Sequence, residues 1–492
     1  MLFYSTRGYR ERVFSEEAII SGLAKDGGLF VPEKFPNIAH RLEELSFLTY
    51  EALAYEIIKL FFNEFSDDEI KDCVNSAYTG RFKVQVNNNF LELYHGPTSA
   101  FKDAALLFLP QIMKKAKEKT NFKNDICILT ATSGDTGKAA LEGFKDIKGF
   151  KIIVFYPKDG VSEIQEAQMR TQKGENTYVV AIDGNFDDAQ NGVKAIFSDG
   201  GFKQYLDDRG VSISSANSIN IGRLIPQIVY YFYGYFRLVS SGSIAMGERI
   251  NIVVPTGNFG NILAAYYGKR MGLPINKFVC ASNENNVLTD FINTGIYDKR
   301  RELKLTESPS MDILVSSNLE RLLFELSNRD SNLIKELMDE LNKNGFYKIN
   351  EAMKKNMKDF YGGFATEDEV KKAIKSVYED KNYLIDTHTA VAYSVYQKYR
   401  KATGDDSKYL IASTASPFKF VRSILKAVDG NKFENEYKES NDFKLLEVLG
   451  DITKNKVPKG LASLENLEIR HNNLCNKQNM EEIVTLLLKV GD

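Results

Sequence analysis

Residues 125–157 read DICILTATSGDTGKAALEGFKDIKGFKIIVFYP. An apolar run, DICILTAT, breaks at a glycine-containing turn, SGDTG. A helix-suited stretch, KAALEGFKDI, follows, and a second apolar run, KIIVFYP, closes the unit. Strands this apolar are buried on both faces, and a helix between them means that they run parallel. The pattern continues in TYVVAID (177–183), INIVVPT (250–256) and KFVCAS (277–282). The fold class is therefore α/β. In such sheets ligands sit at the carboxyl ends of strands, and the glycine-rich loops of this chain fall at those ends.

The flanks of this α/β region read differently. Residues 1–90 are mostly helical by pattern: LSFLTYEALAYEIIKLFFNEF (45–65) keeps apolar residues at three-to-four spacing, and Asp67 and Asp68 cap a further helix. DGGLFVPEKFP (26–36) reads as a glycine-proline surface segment, and the whole N-terminal region as a packing domain without chemistry. Residues 326–380 are charged and helical, as a solvated insertion would be. Residues 430–492 are charged again and end in MEEIVTLLLKV, an amphipathic helix.

The bulk numbers exclude several classes. A chain of 492 residues needs two or three domains. Lys+Arg is 64 against Asp+Glu 66, so charge gives no reason to expect a nucleic-acid or anionic-membrane partner. Cys73, Cys127, Cys280 and Cys475 are far apart and form no CxxC, which argues against zinc and for a reducing, cytoplasmic setting. No apolar run approaches the ~20 residues of a membrane span. The opening, MLFYSTRGYRER, resembles neither a secretory signal nor an organelle presequence.

Four loops carry candidate chemistry. PTGNFGNILAAYYGKRMG (255–272) joins a strand to a helix. Gly257 and Gly260 allow tight turns there, and the helix N-terminus makes an anion site. TATSGDTGKAA (130–140) resembles a P-loop at a glance, but Thr132 stands where the first glycine is needed and Ala139 where Ser or Thr is needed. ATP binding is excluded on that spacing, while Ser133, Thr136 and the helix N-terminus remain able to hold a carboxylate or phosphate. SSANSINIGRLIPQ (214–227) sets Asn217, Ser218, Asn220 and Arg223 before an aromatic helix, and Arg223 offers a bidentate anion partner. LIASTASPFKF (410–420) ends an apolar run in small hydroxyl residues suited to a pocket wall.

A fifth stretch, HGPTSAFKDAAL (95–106), places Lys102 after small residues at the head of an apolar helix. Burial there lowers an ammonium pKa, and a neutral lysine can form a Schiff base with an aldehyde. Two anion loops with such a lysine suggest pyridoxal phosphate, its phosphate in one loop and the substrate's anion in the other.

HGPTSAFKDAAL, TATSGDTG, SANSINIGRL, PTGNFGNI and STASPFKF occur in this order, and the ordered set resembles the threonine synthase family, in its bacterial and fungal branch with a long N-terminal domain. YSTRG (4–8) and DGGLFVPEKFP share the likeness, which covers essentially the whole chain. The resemblance implies the tryptophan synthase β-like (fold-type II) architecture, a two-domain α/β enzyme with an N-terminal, mostly helical domain. On that reading 1–90 is the N-terminal domain and 91–428 the catalytic region. A small subdomain, about 125–235, is inserted in the large one, and 429–492 is a C-terminal helical segment.

The implied reaction converts O-phospho-L-homoserine and water to L-threonine and phosphate, in a cytoplasmic monomer or homodimer. Lys102 would hold pyridoxal 5'-phosphate as a Schiff base and serve as acid and base. Gly257, Asn258, Phe259, Gly260 and Asn261 would cradle the cofactor phosphate, and Thr414 would face the pyridine nitrogen. Ser133, Gly134, Asp135, Thr136 and Gly137 would surround the substrate, with Asn217, Ser218, Asn220 and Arg223 at its anionic ends. Many family members carry histidine where Ser416 stands. Two other activities fit the same motifs: elimination of phosphate from O-phosphohomoserine or O-phosphothreonine to 2-oxobutyrate, and β-replacement on phosphoserine by a sulfur nucleophile. A cofactor-binding protein that has lost catalysis has no support, because Lys102 and both loops are intact.

Overall fold

The computed structural model describes residues 1–9 and 11–490. Arg10 of the opening stretch and the last two residues of the expected 429–492 segment lie outside the described residues.

The chain opens with three short strands, β1 (Leu2–Ser5), β2 (Val13–Phe14) and β3 (Phe30–Pro32), paired antiparallel in the order β2-β1-β3. The N-terminal region is thus not helical alone. All three residues of β3 are buried, so DGGLFVPEKFP is an interior strand with turns beside it rather than a surface segment. Only three apolar residues separate its turn formers, too few to show a strand period. The helices read from 45–78 do form, over Tyr50–Ile58 and Asp67–Tyr78. Ser66 and Glu69 cap the second reciprocally, so the cap is Ser66 and the aspartates occupy the first turn.

Strands β4 (Lys83–Asn87) and β5 (Phe90–His95) form a hairpin. Next come β6 (Asp125–Ala131), β7 (Phe150–Pro157), β8 (Thr177–Ile182) and β9 (Val211–Ser214). They pair parallel in the order β8-β7-β6-β9, as their apolar runs and intervening helices predict. β10 (Ile250–Pro255) and β11 (Ile275–Ser282) follow, then the antiparallel pair of β12 (Ile296–Asp298) and β13 (Phe346–Lys348), with helices between them in the chain, then β14 (Phe360–Phe364) and β15 (Tyr409–Ser413). The large sheet runs β14-β11-β10-β15-β5-β4 and is parallel apart from the β4-β5 edge. Every residue of β10 is buried, as a central strand covered on both faces requires.

Two segments depart from their sequence reading. The 326–380 stretch holds capped helices over Ser331–Asn344 and Glu367–Lys381, but also supplies β14 to the edge of the large sheet. Gly362 in β14 lets the helix Val287–Thr294 pack close, since a Cβ there would lie 3.0 Å from the Cα of Thr289. The 429–492 segment is largely helical, yet β16 (Asn473–Cys475) crosses to the small sheet and pairs parallel with β8. The helix Met480–Leu488 then buries Met480, Val484 and Leu488 with Val180, Ile182 and Val193.

Candidate active site

The two parallel sheets leave their carboxyl-end loops facing one cavity of about 560 Å³. Lys102 reaches it because its segment is stitched to the end of β15. Phe101 N–H donates to Thr414 O at 2.8 Å, Ser416 N–H donates to Ser99 O at 3.0 Å, and Ala100 bridges Ala415. The small residues ahead of Lys102 permit this close pairing. Ser416 is thereby buried behind the cavity wall, and it does not line it.

Lys102 Nζ is nearly enclosed. It donates to Ser310 Oγ at 3.3 Å and lies 3.9 Å from Asp135 Oδ2. Burial lowers its pKa to about 8; Lys419 and Arg223 push the same way, and Asp135 opposes them. Burial raises the pKa of Asp135, but Lys419, Lys102 and Gln165 outweigh it and hold the carboxyl below the usual carboxylate range. Its Oδ1 accepts from Lys419 Nζ at 2.7 Å and from Gln165 Nε2 at 2.9 Å.

The glycine loop after β10 is built for an anion. Phe259 takes a left-handed φ of 65° and precedes the helix Gly260–Arg270, whose N-terminus has no side-chain cap. Ile262 N–H donates to Asn261 Oδ1 at 2.9 Å, and the N–H groups of Gly260 and Asn261 are left for an outside acceptor. Gly257 faces the main chain of the opposite wall: a Cβ there would sit 2.5 Å from Ser310 O. Asn258, Gly260 and Asn261 line the cavity beside it, as does Thr414 across the floor. Asn261 also ties the loop to its strand by donating to Pro255 O at 2.9 Å. A buried amine of lowered pKa, a hydroxyl and an uncapped helix N-terminus within one cavity fit the aldehyde, pyridine ring and phosphate of pyridoxal phosphate.

The other two loops bring Ser133, Asp135, Thr136, Asn217, Ser218 and Arg223 to the cavity. Arg223 is buried, donates from Nη1 to Ala216 O at 2.7 Å, and has no partner for Nε among the described residues. Burial lowers its pKa to about 10. A guanidinium so placed lacks its anion.

Four expected residues stand elsewhere. Asn220 is turned away from the cavity. Its Oδ1 accepts from Gly222 N–H and its Nδ2 donates to Ile19 O at 2.8 Å, so the amide caps a helix and anchors the loop to the N-terminal region. Phe259 contributes a backbone turn, while its ring is buried against Phe360. The N–H groups of Gly134 and Gly137 both donate to Thr132 Oγ1, at 3.0 and 2.9 Å. Their missing side chains make room for Gln165, Thr132 and Val154 rather than for a ligand.

Sequence reasoning missed Lys419, Ser310 and His388. His388 lines the cavity, with Nδ1 3.1 Å from Asp386 Oδ1 and Nε2 accepting from Ser310 N–H at 3.2 Å. A lysine inside the apolar run SPFKF was the available signal for Lys419; Ser310 and His388 carry none. The N-terminal region also does more than pack. Buried Arg321 donates to Phe30 O of β3 at 2.9 Å, to Ile219 O of the 217–220 loop at 2.6 Å, and to Asn318. Asn318 in turn donates to Ser218 Oγ and Asn258 O.

Known proteins resemble the chain over most of its length. Residues 2–78 match the family "Threonine synthase N terminus", residues 90–414 "Pyridoxal-phosphate dependent enzyme" and residues 389–484 "Threonine synthase, C-terminal". Human threonine synthase-like 1 is 41% identical over 437 residues, covering 84% of this chain. The chain spans only 58% of that relative's length. Threonine synthase of Saccharomyces cerevisiae is 36% identical over 467 residues, covering 87% of this chain and 89% of that one. The crystal structure of pyridoxal-phosphate-bound threonine synthase from Brucella melitensis superposes with a TM-score of 0.86 at 33% identity, covering 99% of each chain. The chain belongs to the threonine synthase family of pyridoxal-phosphate-dependent enzymes.

Proposed function

We propose that the chain is a threonine synthase, converting O-phospho-L-homoserine and water to L-threonine and phosphate. The observation that carries this reading is the pairing of two separate anion seats with one buried amine. The uncapped helix at Gly260 suits the cofactor phosphate, and Arg223, with its unpartnered Nε, suits an anionic end of the substrate. Pyridoxal phosphate, held by Lys102 and by the loop Gly257–Asn261, supplies an electron sink for the substrate's Cα. Thr414, a hydroxyl rather than a carboxylate, would face the pyridine nitrogen without holding it protonated, which would disfavour transamination.

Lys102 does the proton work. Its amine takes the Cα proton and then a Cβ proton from the substrate; phosphate leaves Cγ, which gains a proton; water adds its hydroxyl at Cβ; and Cα is reprotonated. An amine with a pKa of about 8 can both give and take protons near neutral pH. Ser133, Thr136, Asn217 and Ser218 orient the substrate from the small-sheet side.

Among the described residues no helix is long and apolar enough to cross a membrane. The four cysteines are free, which supports a reducing, cytoplasmic setting; a small-molecule substrate, a monomer or homodimer and no nucleic-acid partner complete the proposal. We assign 1–90 as its N-terminal domain, 91–428 as its catalytic region with a small subdomain at about 125–235, and 429–492 as its C-terminal segment.

Incubation of the purified chain with O-phosphohomoserine tests the proposal, with threonine, 2-oxobutyrate and phosphate assayed together. Threonine matching phosphate is expected. Keto acid in its place would make the chain a phospho-lyase, and absence of phosphate release would overturn the substrate.

A further inference from the structure

Two lysines meet one carboxylate at the back of the cavity. Asp135 Oδ1 lies 2.7 Å from Lys419 Nζ, and its Oδ2 lies 3.9 Å from Lys102 Nζ. Lys419 has no side-chain exposure and also donates to Thr98 O at 3.0 Å, so it is fixed in place. A buried carboxylate facing a lone ammonium closes on it and holds it charged. Here the tight contact goes to Lys419, and Lys102 keeps the long one.

We propose that Lys419 is a positioning residue: by holding Asp135 it prevents that carboxylate from capturing Lys102, and so leaves the Lys102 amine free to react with an aldehyde. The inference rests on Lys102 being the amine that takes the cofactor. In that step the amine nitrogen joins the aldehyde carbon, a C=N bond replaces C=O, and one water leaves. The nitrogen must be unprotonated to attack. The charged groups facing Lys102 are Asp135, Lys419, Arg223 and Asp103, and Ser310 is its hydrogen-bond acceptor. His388 stands on the same wall. Asp135 and Lys419 are the pair whose spacing decides whether Lys102 is bridged.

The test follows covalent capture of pyridoxal phosphate by the full-length cofactor-free chain between pH 6 and 10. Capture is trapped with borohydride and located on Lys102 by mass spectrometry, so that it reads no turnover. The unaltered chain should show a midpoint near pH 8. In Lys419→Met the midpoint should rise by at least one pH unit, slowing capture about tenfold at pH 7.5. Lys419→Met with Asp135→Asn should restore it, which repacking alone would not do. Asp135→Asn by itself should move the midpoint down, a result that does not require the Lys419→Met chain to fold. An unshifted midpoint in Lys419→Met or in Asp135→Asn overturns the role of Lys419 while leaving Lys102 as the cofactor lysine. Absence of capture by the unaltered chain overturns both. Capture with the expected shifts but no threonine formed would overturn the synthase reading alone.

Discussion

Lys102 joins two requirements that usually conflict, a buried cation and a useful base. Its pKa of about 8 against an ordinary 10.5 gives the cost a definite pH window. Between these values the unfolded chain holds a proton that the folded chain has released, so stability of the cofactor-free protein should rise with pH across the window. The gain is up to about 3 kcal/mol, measurable as an increase in urea midpoint from pH 8 to 10 that Lys102→Met removes. The same substitution should abolish both threonine formation and borohydride-trapped cofactor. Arg223 is the second residue whose surroundings define a task. Arg223→Met should raise KM for the phosphorylated substrate about 30-fold, as expected for loss of ~2 kcal/mol from a charged hydrogen bond. Affinity for pyridoxal phosphate should stay within about threefold in a fluorescence titration. Equal loss of both would place Arg223 on the cofactor instead.

The strand-turn-helix units were legible because each carries its own period: β6, the helix Asp135–Phe144 and β7 follow directly from 125–157. The glycine loop after β10 was legible for the same reason, since its strand and its helix flank it. What stayed hidden depends on partners remote in sequence. β3 and β16 are three residues each and acquire strand character only from β1 and β8. β14 contains Gly362 and Gly363, residues that weaken a strand signal, and exists because β11 offers it an edge. Asn220 reads as a candidate for an anionic end of the substrate, yet Ile19 stands 201 positions away to receive its amide. Gly257 shows how far a loop's conformation is set from outside, because the atom that forbids a side chain there is Ser310 O. Gly257→Ala should therefore shift this turn at a cost of about 1–3 kcal/mol. The result should be at least tenfold weaker pyridoxal phosphate binding, with the far-ultraviolet circular dichroism unchanged.

The N-terminal region and the catalytic sheets share one hydrophobic core, and Arg321 is one of the residues at which they meet. Its guanidinium holds Phe30 O, Ile219 O and Asn318, and the neighbouring Glu320 accepts from Thr6 and from Arg7. Arg321→Met would strand the buried carbonyl of Phe30 and the half-buried one of Ile219, and free the 217–220 loop. We expect destabilisation of about 3 kcal/mol, read as a lower urea midpoint, together with a higher KM. Arg7→Ala, which removes a guanidinium that is itself part-exposed, should reproduce the effect more weakly. The arrangement of β16 has a consequence for the order in which the molecule can be made. The small sheet draws β6 to β9 from residues 125–214, but its last strand and covering helix come from 473–488. During synthesis on the ribosome, the nascent chain carries β8 as an open edge while some 260 later residues between Ser214 and Asn473 are added. Until that late strand emerges, the domain that contributes Ser133, Asp135 and Arg223 presents a sticky, unpaired border, the kind of surface on which chaperones act.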